Sequence, residues 1–423
     1  MKKTAALILT ITMAVAIAAQ TNVKSEAQLS PAEQSMATAE KLIEKNPKNY
    51  EAYNALALAL SRRARETSDV KFYNDAEAAL QKSFEISPGN FDGERIHVWL
   101  LLGKHEFAAA LQEGTKLNKK MPDDVMIYGF LTDANVELGN YDAAEAACQR
   151  MLDLRTGNLP AVTRAAYLRE LFGNVDGALE LMNMAFQSTP PAQAEDGAWI
   201  LTQMAHLQLA TGNLDKSEKL LRQALAMFPG YHYALGNLAK VRIQQKRYAE
   251  AVELLRQRYH AAPHAENLYD LAEALQLAGR TDEAQKAFAE FEQKSLAETN
   301  RGDNSNHELI FYYADHANQP AKALEVAQRE IARRHDVFTL DAYAWALYVN
   351  GQYAEARKRI ETALEVGIRD GKIFRHAGEI ALKAGDEPAA ERYLREAVQL
   401  NTLGSEQAQT TLARLQNNPK IAK

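Results

Sequence analysis

The side chains best suited to ligating or nucleophilic chemistry are ten histidines and one cysteine, Cys148. His260 and His264 stand four apart, the spacing that would place two metal ligands on one helix face. Pro263 falls between them, which breaks a shared face and reads them as boundary residues. A lone thiol can form neither an internal disulfide nor a multi-cysteine metal site. Asp123 and Asp124 follow Pro122 and precede the apolar run VMIYGFL. Side chains of this type start helices, so the pair reads as a helix N-terminus and not as an acid–base couple. Arg301-Gly302-Asp303 spells an adhesion tripeptide, but it lies in a glycine- and asparagine-rich stretch where loop chemistry accounts for it. No phosphate-binding glycine loop, nucleophile elbow, zinc helix or calcium loop is written in the chain. The expectation is a non-enzyme with no cofactor and no metal.

The whole chain has 423 residues, 47% of them hydrophobic and 25% charged, with a formal charge of −6. Such composition belongs to a folded protein. Its acidic balance argues against general nucleic-acid binding, which needs a basic surface. Lys2 and Lys3 precede an uncharged apolar run from Thr4 to Ala19, with small residues at Ala16 and Ala18. This is the form of a signal peptide over residues 1–19. Cleaved, it implies a periplasmic or secreted protein with no membrane span; retained, it implies a tethered accessory subunit of an envelope or secretory-pathway complex. Residues 20–30 are polar and read as a linker.

The rest of the chain repeats. LGNYDAAEAA at 138, AGRTDEAQKA at 278, NGQYAEARKR at 350 and AGDEPAAERY at 384 share a turn glycine followed, five residues later, by alanine. The same marker gives Lys71, Gly103, Gly139, Gly173, Gly212, Lys246, Gly279, Asn318, Gly351 and Gly385, spaced by 32 to 39 residues. The small residue that follows is Ala76, Ala108, Ala144, Ala178, Ser217, Ala251, Ala284, Ala323, Ala356 or Ala390. Two antiparallel helices joined by a tight turn approach closely there, and a large side chain would wedge them apart. Leu268, Leu271, Ala272 and Leu275 stripe a first helix at helical spacing, and Ala284, Phe288 and Phe291 stripe the second. Cys148 occupies a position filled elsewhere by Leu80, Met182, Leu221 or Leu255, and so reads as a buried packing residue. About seven extra residues near 62–69 predict a lengthened first helix or a longer turn. The two widest spacings predict loops between units, STPPAQAEDG before Trp199 and ETNRGDNSN before His307. No segment shows strand alternation.

A period near 34 residues with this signature resembles the tetratricopeptide repeat. The resemblance covers about residues 31–402. It implies an all-α helix–turn–helix solenoid, a superhelix of about ten repeats with terminal capping helices. Residues 403–423 are expected to supply the closing helix and tail. In that family first helices line a concave face that binds protein or peptide partners. By register, the positions expected to face it are Tyr167, Trp199, His206, Tyr233, Lys240, Tyr269, Glu273, Tyr312, Trp345 and Tyr348. Some members clamp a chaperone's terminal carboxylate with lysine, asparagine and arginine. Here the matching positions are Thr202, His206, Asn237, Glu266 and Asp270, of which only Asn237 fits. The resemblance therefore implies a scaffold without that clamp.

Overall fold

Residues 29–302, 304–402 and 404–416 are described by a computed structural model. The signal-peptide reading of residues 1–19, most of the 20–30 linker, Asp303 and the tail beyond 416 lie outside the described residues. An opening helix, α1 (Pro31–Lys45), precedes ten helix pairs. The first three are α2 (Tyr50–Thr67) with α3 (Lys71–Ile86), α4 (Phe91–Gly103) with α5 (Phe107–Lys120), and α6 (Val125–Glu137) with α7 (Tyr141–Leu154). Next come α8 (Leu159–Leu171) with α9 (Val175–Ser188), α10 (Ala194–Ala210) with α11 (Leu214–Met227), and α12 (His232–Gln244) with α13 (Tyr248–Ala261). Then follow α14 (Ala265–Leu277) with α15 (Thr281–Glu298), and α16 (Asn306–Phe311) with α17 (Pro320–Ile331). The last are α18 (Val337–Val349) with α19 (Tyr353–Glu365), α20 (Gly371–Lys383) with α21 (Glu387–Leu400), and a closing helix, α22 (Ser405–Gln416). No strand occurs among the described residues.

Local chemistry explains the boundaries. Ser30 opens α1 with a capping box: its hydroxyl accepts from the Glu33 N–H, and Glu33 accepts from the Ser30 N–H at 2.8 Å. Asn49, Asn90, Asp124, Asn158, Asp336 and Asp370 cap six first helices, each side chain accepting a backbone N–H of the first turn. Asp124 is thus a helix start, as its context predicts.

Eight of the ten turn markers adopt the left-handed conformation that closes each pair, including the non-glycines Lys246 and Asn318. At the other two the register needs correction. In the second pair the left-handed residue is His105 (φ 56°), not Gly103, so the close-packed alanine is the fully buried Ala110, while Ala108 is exposed. In the first pair it is Ser68 and not Lys71; the extra residues there extend α2 by turns, and Ala76 is fully buried as expected. The remaining eight small residues are all buried. The insertion before Trp199 is a loop over 189–193, and its second half opens α10 at Ala194; before His307 the described residues 299–302 and 304–305 follow a lengthened α15 outside any helix. Five π-helical residues, Tyr312–His316, finish the short α16.

The array coils until later units rest on earlier ones. The His335 N–H donates to the Glu137 carbonyl and the Val337 N–H to the Tyr141 hydroxyl, both at 3.0 Å. A Cβ at Gly173 would come within 2.5 Å of the Gly367 carbonyl oxygen, so only glycine permits that approach. One apolar cluster joins Val136, Leu168 and Leu171 of the first turn to Val337, Leu340 and Ile380 of the second. Contacts between units about 195 residues apart in sequence mark one full superhelical turn.

Candidate functional site

First helices of neighbouring units pack side by side, α2 on α4, α4 on α6, α6 on α8, α10 on α12, α16 on α18 and α18 on α20. Together α2, α4, α6, α8 and α10 enclose a cavity of about 940 Å³, within the range of ligand pockets. Trp99, Phe130, Tyr167 and Trp199 supply its aromatic lining. Five arginines reach it, Arg62, Arg65, Arg95, Arg155 and Arg164, against two carboxylates, Asp133 and Asp196. Arg164 holds Asp133 through two nitrogens, at 2.5 and 2.7 Å. Arg65 meets Asp196 at 3.0 Å and also grips Glu195, whose other oxygen accepts from the Tyr231 hydroxyl at 2.9 Å. This tie spans from the extension of α2 to the start of α10 and closes one wall. Arg95 pairs with Asp92 and Asp124.

The ten expected face residues divide. Tyr167 and Trp199 line the cavity. His206 bonds Glu170 at 2.9 Å and stays partly exposed. Tyr233 stacks on His232, ring centroids 3.9 Å apart, and Lys240 has no carboxylate partner among the described residues. Farther along, Tyr269 is 6% exposed and donates to Glu273 at 3.1 Å. Tyr312 stacks on Phe288 at 5.4 Å. Trp345 is 5% exposed, donates to Asp315 at 2.8 Å, and stacks on Tyr348 and His376. These rings pack between units, so most of their surface is covered. The cavity arginines were missed by register reading. They come from three units and from one turn (Arg155), and no single-unit pattern shows that a superhelix gathers them.

Buried ionisable groups cluster where the turns of the superhelix meet. Burial lowers His232 to about 4. Between α18 and α20, Arg375 donates to His376 Nε2 at 2.8 Å, which leaves Nδ1–H to donate to Asp341 at 2.7 Å. Burial holds His376 well below its usual value and pushes the Asp341 carboxyl up to about 7. A carboxyl raised on folding contributes stability that is lost as pH rises from its unfolded value toward 7. Asp341→Asn abolishes that loss. The variant therefore gains on the parent by about 2–4 kcal/mol between pH 4 and pH 8, read as the difference in melting temperature of the two proteins across that range. A pH-independent difference would contradict this assignment. Cys148 is buried, and burial raises its thiol to about 11, which makes it a packing residue and not a nucleophile. His260 ends α13 while His264 caps α14, and among the described residues no group of three or more ligating side chains could hold a metal ion.

An α-solenoid of paired helices with a lined inner face is the class of protein this geometry defines. Tetratricopeptide repeat models match residues 38–72, 97–158, 208–264 and 342–404, about half of the chain. The chain belongs to the tetratricopeptide repeat family. No curated protein matches it in sequence. Among solved structures it is similar to human IFIT1, a dimer with m7Gppp-AAAA, at 14% identity, TM-score 0.51, over 87% of this chain and 85% of that one. It is also similar to yeast Tom70 (13% identity, TM-score 0.38, covering 86% and 98%). PilW, a type IV pilus biogenesis factor, matches at 12% identity and TM-score 0.41, covering 48% and 92%. At these identities the likeness is one of fold.

Proposed function

We propose that the protein is an exported, non-catalytic scaffold that holds a partner peptide or helix along its first-helix face. The observation that carries this reading is the solvent-open cavity walled by five consecutive first helices and lined by Tyr167 and Trp199. A preformed concave surface with aromatic anchors binds at low ordering cost. Tyr167, Trp199, His206, Tyr233, Lys240 and Tyr348 are the proposed contacts. Tyr269, Glu273, Tyr312 and Trp345 back them from between the units. Export is supported by the basic start and apolar run of residues 1–19. Among the described residues no helix is long and apolar enough to cross a membrane.

Site-specific photocrosslinking in native cells tests the surface without disturbing buried rings. A photoreactive side chain at His206 or Tyr348 captures a defined partner, whereas one at the exposed second-helix position Glu145 does not. Capture from Glu145 alone overturns the assignment.

A further inference from the structure

The partner surface carries a charge pattern at odds with the rest of the molecule. The chain is acidic overall, yet arginines outnumber carboxylates five to two around the cavity. Both lining carboxylates are already held by lining arginines, Asp133 by Arg164 and Asp196 by Arg65. Arg95 is neutralised by Asp92 and Asp124, outside the cavity. Arg62 and Arg155 remain, one on the α2 extension and one in the turn before α8, and neither has an ion-pair partner among the described residues. Two unneutralised guanidinium groups from distant units thus border one aromatic-lined cavity. A ligand that brings carboxylates gains charge-assisted hydrogen bonds from them.

We propose that this cavity receives an acidic peptide segment, with carboxylates on Arg62 and Arg155 and an apolar or aromatic side chain against Trp99 and Trp199. The inference rests on the first-helix face being the partner surface, and adds the chemistry of the partner. Two free arginines match a segment with a few carboxylates. They do not match a polyphosphate backbone, whose binding takes a run of uncompensated lysines and arginines. The cavity's size suits a few residues of extended chain. The tie from Arg65 to Glu195 and Asp196 holds the α2 wall in place, so the arginines are presented by a preorganised frame.

The test uses the full chain and a fluorescein-labelled glutamate-rich peptide carrying two phenylalanines, followed by anisotropy. The same peptide with lysine for glutamate, and a single-stranded oligonucleotide of equal formal charge, serve as comparisons. The acidic peptide binds saturably and more weakly as salt rises. The double variant Arg62→Glu with Arg155→Glu, both exposed in the parent, melts as the parent does and binds it about tenfold more weakly or worse. No saturable binding by the parent overturns the proposal, as does binding indifferent to the double variant. An oligonucleotide bound as tightly, with the same loss in the variant, also overturns it and makes the cavity a polyanion site. Photocrosslinking separates this failure from that of the scaffold reading. If His206 and Tyr348 still capture the partner while the peptide results fail, only the acidic-segment proposal falls. If neither position captures a partner, the scaffold reading falls.

Discussion

Ala251→Trp destabilises the protein by about 3 kcal/mol or more, at the upper end of what overpacking costs. Ala251 is fully buried on α13, five residues after the left-handed Lys246, where α12 and α13 approach most closely. Its neighbours in the apolar cluster are the equally buried Ala239 and Val252, with Leu255 and Leu268 beyond. Small side chains on both helices set the separation there, and an indole finds no void to enter. Relief would require moving one helix of the pair, which propagates to the next unit because neighbours share the core. Ala284→Trp, one unit on, behaves alike. The exposed neighbour Glu250 is a poor control, because it pairs with Arg247 and with the buried Arg242. Glu253→Gln is cleaner and stays within about 0.5 kcal/mol of the parent. Thermal unfolding of the variants checks the register: parental melting by both alanine variants would refute it.

Arg334→Ala is the second large effect. Arg334 follows α17, and its guanidinium lies 2.9 Å from Glu330, 3.8 Å from Asp336 and 3.5 Å from Glu137. Glu137 belongs to α6, nearly two hundred residues earlier, so this cation joins successive superhelical turns. Burial and the adjacent Asp336 already push the Glu137 carboxyl upward. Removing the cation leaves the buried Glu330 and Asp336 and the half-buried Glu137 without their shared counter-charge, a loss of about 3–5 kcal/mol. The sign of its pH dependence follows. Acid protonates the raised Glu137 carboxyl, so the penalty shrinks between neutral and mildly acidic pH. Melting temperatures at two pH values measure this, and small-angle scattering reports whether the turns separate. A variant with parental melting and dimensions would show that the tie contributes nothing.

Most of the fold was legible because each unit writes the same local physics. A left-handed turn and a close helix crossing admit few residue types, so Gly139, Gly173 and Ala144 announce themselves. Where another residue takes that conformation, the pattern misleads: Gly103 drew the register away from His105, two positions on. The face residues were legible only by position. Register places Trp345 and Tyr269 on first helices, but whether a ring faces a ligand or the next unit depends on helix rotation and on neighbours such as His376 and Phe291. The arginine-lined cavity was hidden for a different reason. It depends on superhelical pitch, which brings Arg65 to Glu195 across 130 residues, and no periodicity within a unit encodes that distance.

The contact between turns bears on how the molecule yields to force. An open helical array stretches softly, because each unit pivots slightly on its neighbour. Here the coils already touch, through Glu137, Tyr141 and Gly173 on one side and His335, Val337 and Gly367 on the other. The protein is a spring wound shut: stiff under tension until those ties part, then compliant over a long extension.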